Sequence, residues 1–295
     1  MNDVDTVFRE MTTSPDLFRE FVDYTARVTG FRRELIEKDF FCSAILGFMS
    51  TQLSTAVVFR GGTCLSKVYT DFSRLSEDLD FTIPLPAVAH RGERQSLIKP
   101  VKKACEEIAK GLPAFHEIIA LRGSNESTQY SGIWGYQSIA SGETERIKLD
   151  FGFRELILLP AEDRQAGTLL LNAVTGAKLV APFRLHVMAL AEVWAEKTRA
   201  ALTRLQPAIR DFFDLDRALL NQQVNLEDDG LLELVRRKLA APGNGPVDLS
   251  AVRKAELKRQ TQGQLRPVLR LRDFERFSLE RIWAPLATLV HRLQN

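Results

Sequence analysis

Apolar positions recur at helical spacing through the first fifty residues: Leu17, Phe18, Phe21 and Val22, then, past the turn-prone Thr29-Gly30, Leu35, Ile36, Phe40, Phe41, Ile45 and Leu46. This pattern predicts a helical lead-in from about Leu17 to Met49. The texture then changes. Ala56-Val57-Val58-Phe59-Arg60 is a β-branched and aromatic run stopped by Gly61-Gly62, and Thr63 to Tyr69 can start a helix, so a strand, a glycine turn and a helix are expected. Residues 78–83 alternate polar and apolar at period two and stop at Pro84, as a half-buried strand does. Ser96 to Lys110 has helical spacing, and Phe115 to Leu121 and Arg146 to Phe153 have strand character. In the last, Ile147, Leu149 and Phe151 alternate with Lys148, Asp150 and Gly152. A mixed sheet flanked by helices follows. Beyond Pro182 only helical patterns remain: Val187 to Leu205, Ala208 to Leu220, Leu231 to Leu239, Ala251 to Arg259 and Leu279 to Leu293, with a Pro-Gly-Asn-Gly-Pro loop at 242–246. The expected division is a sheet-containing domain over 1–178 and a mainly helical one over 179–295.

Composition narrows the class. The 295 residues are 45% hydrophobic and 26% charged, without repeats or low-complexity tracts, which excludes disordered, fibrous and solenoid chains. A chain of this length buries roughly three quarters of its unfolded surface and needs no disulfide or metal staple. Cys42, Cys64 and Cys105 have neither pairing nor zinc-ligand spacing, and the first ten residues lack the order of a signal peptide. The longest apolar run, near Phe40 to Met49, is too short to span a bilayer. A cytoplasmic protein without membrane contact is therefore expected. The net charge of +2 announces no polyanionic partner, yet residues 251–295 hold ten Lys and Arg against four Asp and Glu. That excess suits either a solvated helical surface or one facing nucleic acid.

The glycine turn and the strand after it carry the chemistry. A glycine turn entering a helix presents backbone N–H groups and the positive end of the helix dipole, a cradle for phosphate oxygens, to which Thr63 and Ser66 can add hydroxyls. Asp78 and Asp80, two apart on a strand, project from one face and can converge on a divalent cation, with Leu79 and Phe81 pointing into the core. Magnesium takes such hard oxygen ligands together with substrate phosphate. A lone Asp-x-Asp is most often a solvated strand edge; its place after Gly-Gly-Thr favours a site. Activating a hydroxyl opposite a pyrophosphate leaving group calls for a further carboxylate, and Asp150 is the candidate, its alternative being a surface strand residue. In the helical part, Lys197 offers a point charge for a phosphate and Arg210 a planar fork for two oxygens. Both are equally suited to structural pairing, with Asp211 and Asp214 neutralising Arg210 and Arg217. The four histidines show no metal-ligand spacing, and neither HExxH nor a P-loop lysine motif occurs.

The run Gly-Gly-Thr-x-Leu-Ser-Lys-x-Tyr at 61–69, followed by Arg-x-Ser-Glu-Asp-x-Asp at 74–80, closely resembles the nucleotidyltransferase-like toxins of the AbiEii/AbiGii group, which includes the MenT toxins, within the DNA polymerase β-like superfamily. Glu37-Lys38-Asp39-Phe40 is similar to the group's upstream helix motif, and Ala195-Glu196-Lys197 and Arg210-Asp211-Phe212-Phe213-Asp214-Leu215 to its downstream motifs. The resemblance spans about residues 37–216. It implies an α/β (α+β) fold, a polymerase β-like nucleotidyltransferase core with a mixed sheet plus a helical C-terminal domain. It also implies the toxin of a type IV toxin–antitoxin or abortive-infection module, transferring a nucleotide from an NTP to RNA, with tRNA the favoured acceptor and a cognate antitoxin as partner. In this reading Asp78, Asp80 and Asp150 hold Mg2+, and Gly61, Gly62, Thr63, Ser66, Lys197 and Arg210 bind the nucleotide. Asp78, Asp80, Asp150, Lys197 and Asp214 form the catalytic set. The alternatives are a protein or small-molecule hydroxyl as acceptor, or a non-catalytic nucleotide- or RNA-binding module.

Overall fold

A computed structural model describes residues 3–85 and 90–294, which form two compact units. The first comprises the chain up to Glu155 together with Ala161–Met188; the second comprises Leu156–Pro160 and Ala189 onward.

The first unit opens with three helices, α1 (Val4–Thr13), α2 (Pro15–Thr29) and α3 (Arg33–Leu53). Helix α1 is capped by Asp3, whose carboxylate accepts from Thr6 N at 2.9 Å, and α2 stops at Gly30, whose φ of 79° lets its N–H close on Ala26 O. Apolar side chains surround α3 rather than lining one stripe, and 14 of its 21 residues are buried. A helix apolar on all sides is a core helix. Phe40 and Phe41 pack with Phe8, Phe18, Phe115 and Tyr136, the Phe41 and Tyr136 rings stacking 3.7 Å apart.

The sheet that α3 joins consists of β1 (Val58–Arg60), β2 (Leu79–Thr82), β3 (Phe115–Ser124), β4 (Gln129–Gln137), β5 (Thr144–Gly152), β6 (Glu162–Ala166) and β7 (Phe183–Val187), in the order β3-β4-β5-β2-β1-β7-β6. Strand β1 enters α4 (Gly61–Cys64), which continues as a π-helical turn over Leu65–Tyr69; α5 (Arg91–Gly111) follows β2. The pairs β2–β5 and β1–β7 are parallel and the others antiparallel. The mixed α/β class expected from the sequence is thus observed. Strands β4 and β6 escape the alternation. Gly132 and Gly135 break β4 because Cβ atoms there would come within 2.7 Å of the Trp134 ring and of His116, and β6 is a polar edge strand.

The change to helix comes later than the expected 178/179 boundary. Phe183–Val187 pairs with β6 and, through Val187, with Phe59, so it completes the first unit and the second begins at Ala189. Val187 thus ends a strand; the helix expected to begin there starts three residues on.

The second unit holds α6 (Leu190–Thr203), α7 (Ile209–Leu220), α8 (Asp229–Leu239), α9 (Ala251–Gln260), α10 (Leu271–Arg276) and α11 (Leu279–Gln294). Asp228 and Ser250 cap α8 and α9. The segment 156–160 belongs here because Glu192, fully buried on α6, accepts from Leu158 N and Leu159 N at 2.9 Å each and pairs with Lys238 of α8 at 2.7 Å. Among the described residues no helix is long and apolar enough to cross a membrane.

Candidate active site

Three adjacent strands divide their residues cleanly between two faces. Phe59, Phe81 and Phe151 lie in register across β1, β2 and β5, with ring centroids 5.2 and 4.9 Å apart on the buried side. One residue along each strand, Arg60, Asp80 and Asp150 are likewise in register, so by the strand's period of two they share the opposite face. Asp78 sits one residue before β2 and is exposed, while Asp80 and Asp150 are half-buried. The sheet therefore brings Asp80 and Asp150 side by side, with Asp78 at the mouth of the same strand.

The glycine turn is shaped around these carboxylates. Gly61 has φ 79°, and a Cβ there would overlap Asp80 Oδ2; a Cβ on Gly62 would lie 2.6 Å from Arg74 Nη2 and 2.9 Å from Ser76 Oγ. The hydroxyls of Thr63 and Ser66 point inward. Thr63 donates to Asp78 O at 2.5 Å and Ser66 to Arg74 O at 2.6 Å, and both residues are buried. A hydroxyl has one proton, so in this arrangement these two fasten the loop that carries Asp78 rather than donating to a phosphate. The backbone of Gly61 and Gly62 remains the part of the turn suited to that task.

The upstream Glu37-Lys38-Asp39 motif resolves into three structural tasks. Glu37 accepts from Ser138 Oγ, Ile139 N and Ala140 N and so holds the turn between β4 and β5. Lys38 pairs with Glu77 at 2.7 Å, next to Asp78. Asp39 takes Lys67 Nζ at 2.5 Å and Leu169 N at 2.9 Å, with Ser43 Oγ completing the buried lysine's shell. Lys67 is 5% exposed and bound to the core. Cys64 is also enclosed, and burial, reinforced by the charge of Asp80, pushes its thiol pKa well above the ordinary value.

Two cations that the sequence reading passed over share the carboxylate face. Lys148, two residues before Asp150 on β5, lies 2.5 Å from Asp150 Oδ2, and Ser131, opposite Asp150 on β4, donates to Oδ1. Burial opposes the Lys148 charge, but Asp150, Asp78 and Asp80 outweigh it and hold its pKa above the usual lysine value. Arg60 Nη2 lies 3.8 Å from where a Gly152 Cβ would stand, and its Nε is buried without a hydrogen-bond partner among the described residues. Their parity with Asp150 and Asp80 in the strand alternation is the signal that finds both. No group of three or more His, Cys, Asp or Glu close enough to hold a metal occurs among the described residues. Asp150 itself has two partners, Ser131 and Lys148.

In the second unit, Lys197 on α6 pairs with Asp211 at 2.8 Å and Asp214 at 2.9 Å on α7, and Arg204 reaches Asp211 at 3.0 Å. Lys197 is 8% exposed and both carboxylates 3%. The Asp211–Asp214 pair therefore neutralises Lys197, not Arg210 and Arg217; Arg217 instead meets Asp273 at 3.2 Å, and Arg210 is half-buried in the first turn of α7.

The sequence profile described as nucleotidyl transferase AbiEii toxin, type IV TA system, matches residues 47–284. The chain belongs to this family. Among solved structures, a Helicobacter pylori protein provisionally described as a nucleotidyltransferase is 15% identical, with a TM-score of 0.50 over 89% of this chain and 96% of its own. JHP933 from Helicobacter pylori is also 15% identical, with a TM-score of 0.48 over 89% and 93%. At that identity the first shows a common fold and no more. No curated protein matches the chain. The AbiEii match covers the glycine turn, all three aspartates and the Lys197 cluster, whereas Glu37, Lys38 and Asp39 lie ahead of it.

Proposed function

We propose that this AbiEii-family chain transfers a nucleotide from an NTP to RNA, with tRNA the favoured acceptor, using a divalent cation held by Asp78 and Asp80. The observation that carries this reading is the in-register carboxylate face beside a glycine turn whose shape leaves room for Asp80 and nothing larger at position 61. The donor set fits magnesium, which binds through one or two carboxylates and takes its remaining ligands from phosphate and water. Bound there, the ion would neutralise triphosphate charge. The chain's own residues supply the rest: the backbone of Gly61 and Gly62 approaches the phosphates, the Lys38–Glu77 pair and the Thr63 hydroxyl hold Asp78 in place, and Asp150 anchors Lys148. Most of the acceleration would come from alignment and charge neutralisation, without a covalent enzyme intermediate. An antitoxin is the partner that the family implies.

The test is incubation with each labelled NTP, magnesium and total cellular RNA. Wild-type protein should label a discrete RNA band, and Asp80→Asn should abolish labelling with little change in melting temperature, since it alters a half-buried face and removes no core volume. Labelling of protein, or full activity in Asp80→Asn, would overturn the reading.

A further inference from the structure

Asp150 occupies the position in which a third metal-binding carboxylate is expected, yet both of its oxygens already have partners on rigid strands. Ser131 lies directly across from it on β4, and Lys148 two residues before it on the same face of β5. The Lys148 side chain is 44% exposed, so it is accessible on the carboxylate face. An ammonium has three donors, and Asp150 engages only part of that capacity.

Resting on the reading of Asp78 and Asp80 as ligands, we propose that Lys148 is a cation built into this site: anchored by Asp150, it stands where a second metal ion would act, so that the site takes a single divalent cation. A second metal in nucleotidyl transfer offsets charge on the oxygens that attack and depart. Here the acceptor hydroxyl oxygen bonds to the α-phosphorus, the bond from that phosphorus to the bridging β-oxygen breaks, pyrophosphate leaves with the electron pair, and the hydroxyl proton passes to water. Lys148 offsets the charge that gathers on the attacking oxygen as its proton leaves, a task suited to a compact point charge. Asp150 positions Lys148 on the face that it shares in register with Asp80.

Titrating the full-length protein with Mn2+ and following free Mn2+ by electron paramagnetic resonance counts the bound ions directly. One ion per wild-type chain is expected, two per Lys148→Ala chain, in which Asp150 is released to bind metal, and none with Asp80→Asn. Lys148→Ala should also lower the NTP-dependent transfer rate by roughly 100-fold, as removal of one electrostatic stabiliser does, while Lys148→Gln, which keeps the stem, falls equally far. Two ions in the wild type, one of them lost in Asp150→Asn, would overturn the role of Lys148 and leave the proposed function standing. A count that stays at one in Lys148→Ala, or undiminished transfer, overturns it too. Mn2+ binding that survives Asp80→Asn would instead overturn the reading on which the inference rests.

Discussion

Removing Lys197 tests the structure where family likeness and packing make different demands. Its ammonium lies within 2.9 Å of two carboxylates from the neighbouring helix, and all three residues are at least nine-tenths buried. Lys197→Ala leaves Asp211 and Asp214 in the core, with Arg204, half-exposed, still pairing with Asp211. Breaking a buried ion pair from one side costs about 3–5 kcal/mol, because the remaining charge stays desolvated. That is roughly ten times the 0.3–0.5 kcal/mol of an exposed helix pair, and in a chain of this size corresponds to a drop of roughly 6–20 °C in melting temperature. Denaturant titration of Lys197→Ala and Lys197→Met measures the loss, and transfer rates taken where every variant is folded separate stability from chemistry. Combining Lys197→Met with Asp211→Asn and Asp214→Asn should recover much of the stability, since the stranded charges disappear. A change below about 1 kcal/mol in Lys197→Ala would refute the buried clamp.

Two further expectations follow from the geometry. Gly61→Ala should cost about 1–2 kcal/mol for a left-handed non-glycine residue and, by pushing Asp80 aside, should abolish transfer; near wild-type transfer would show that the turn tolerates a shifted carboxylate. In the basic tail, Arg253, Lys254, Lys258, Arg259, Arg270, Arg281 and Arg292 all pair with carboxylates, whereas Arg266, Arg272 and Arg276 are exposed and have no ion pair among the described residues, so they are the cations for a polyanion to find. Reversing those three should flatten the salt dependence of RNA binding by about 2–3 in logarithmic slope if all touch phosphate, and an unchanged slope would assign them to solvent.

What the sequence made legible was local. The alternation of Ile147, Leu149 and Phe151 with Lys148 and Asp150 located β5, and the strand before Pro84 located Asp80, because a strand half in the core writes its two faces into adjacent residues. Register is different: that Asp80 stands opposite Asp150 and not Lys148 depends on β2 and β5 pairing across about seventy residues of chain. The Thr63 and Ser66 hydroxyls illustrate the same limit. A helix entrance rich in hydroxyls has one composition whether they face a ligand or their own loop, and the loop at 70–78 that engages them has no periodic pattern of its own. Lys197 offered a charge for a phosphate and Lys67 stood within the Gly-Gly-Thr run, and both are buried in pairs with aspartates from other helices. Lys148, which shares the face of Asp80 and Asp150, was visible only as the polar half of an alternating strand.

The pH dependence of the Lys197 cluster distinguishes a charge clamp from simple packing. Burial alone would raise the pKa of Asp211, but the charge of Lys197, then that of Arg204, holds it below the ordinary value of 3.8. A group with a depressed folded pKa stabilises the protein fully above its unfolded pKa, and that contribution fades as pH falls through the folded one. Wild-type protein should therefore keep this contribution from neutral pH down to about pH 4 and lose it below. In Lys197→Ala the leading favourable charge is gone and burial dominates, so Asp211 takes up its proton at higher pH than in the wild type. Protonation removes the stranded charge, so the stability gap between the two proteins should be widest near pH 7 and narrow toward pH 4. Stability curves taken across that interval read the gap directly. Were Lys197 acting only through the packing of its methylene stem, the gap would stay constant from pH 8 to pH 4, and the charge clamp would fall with it.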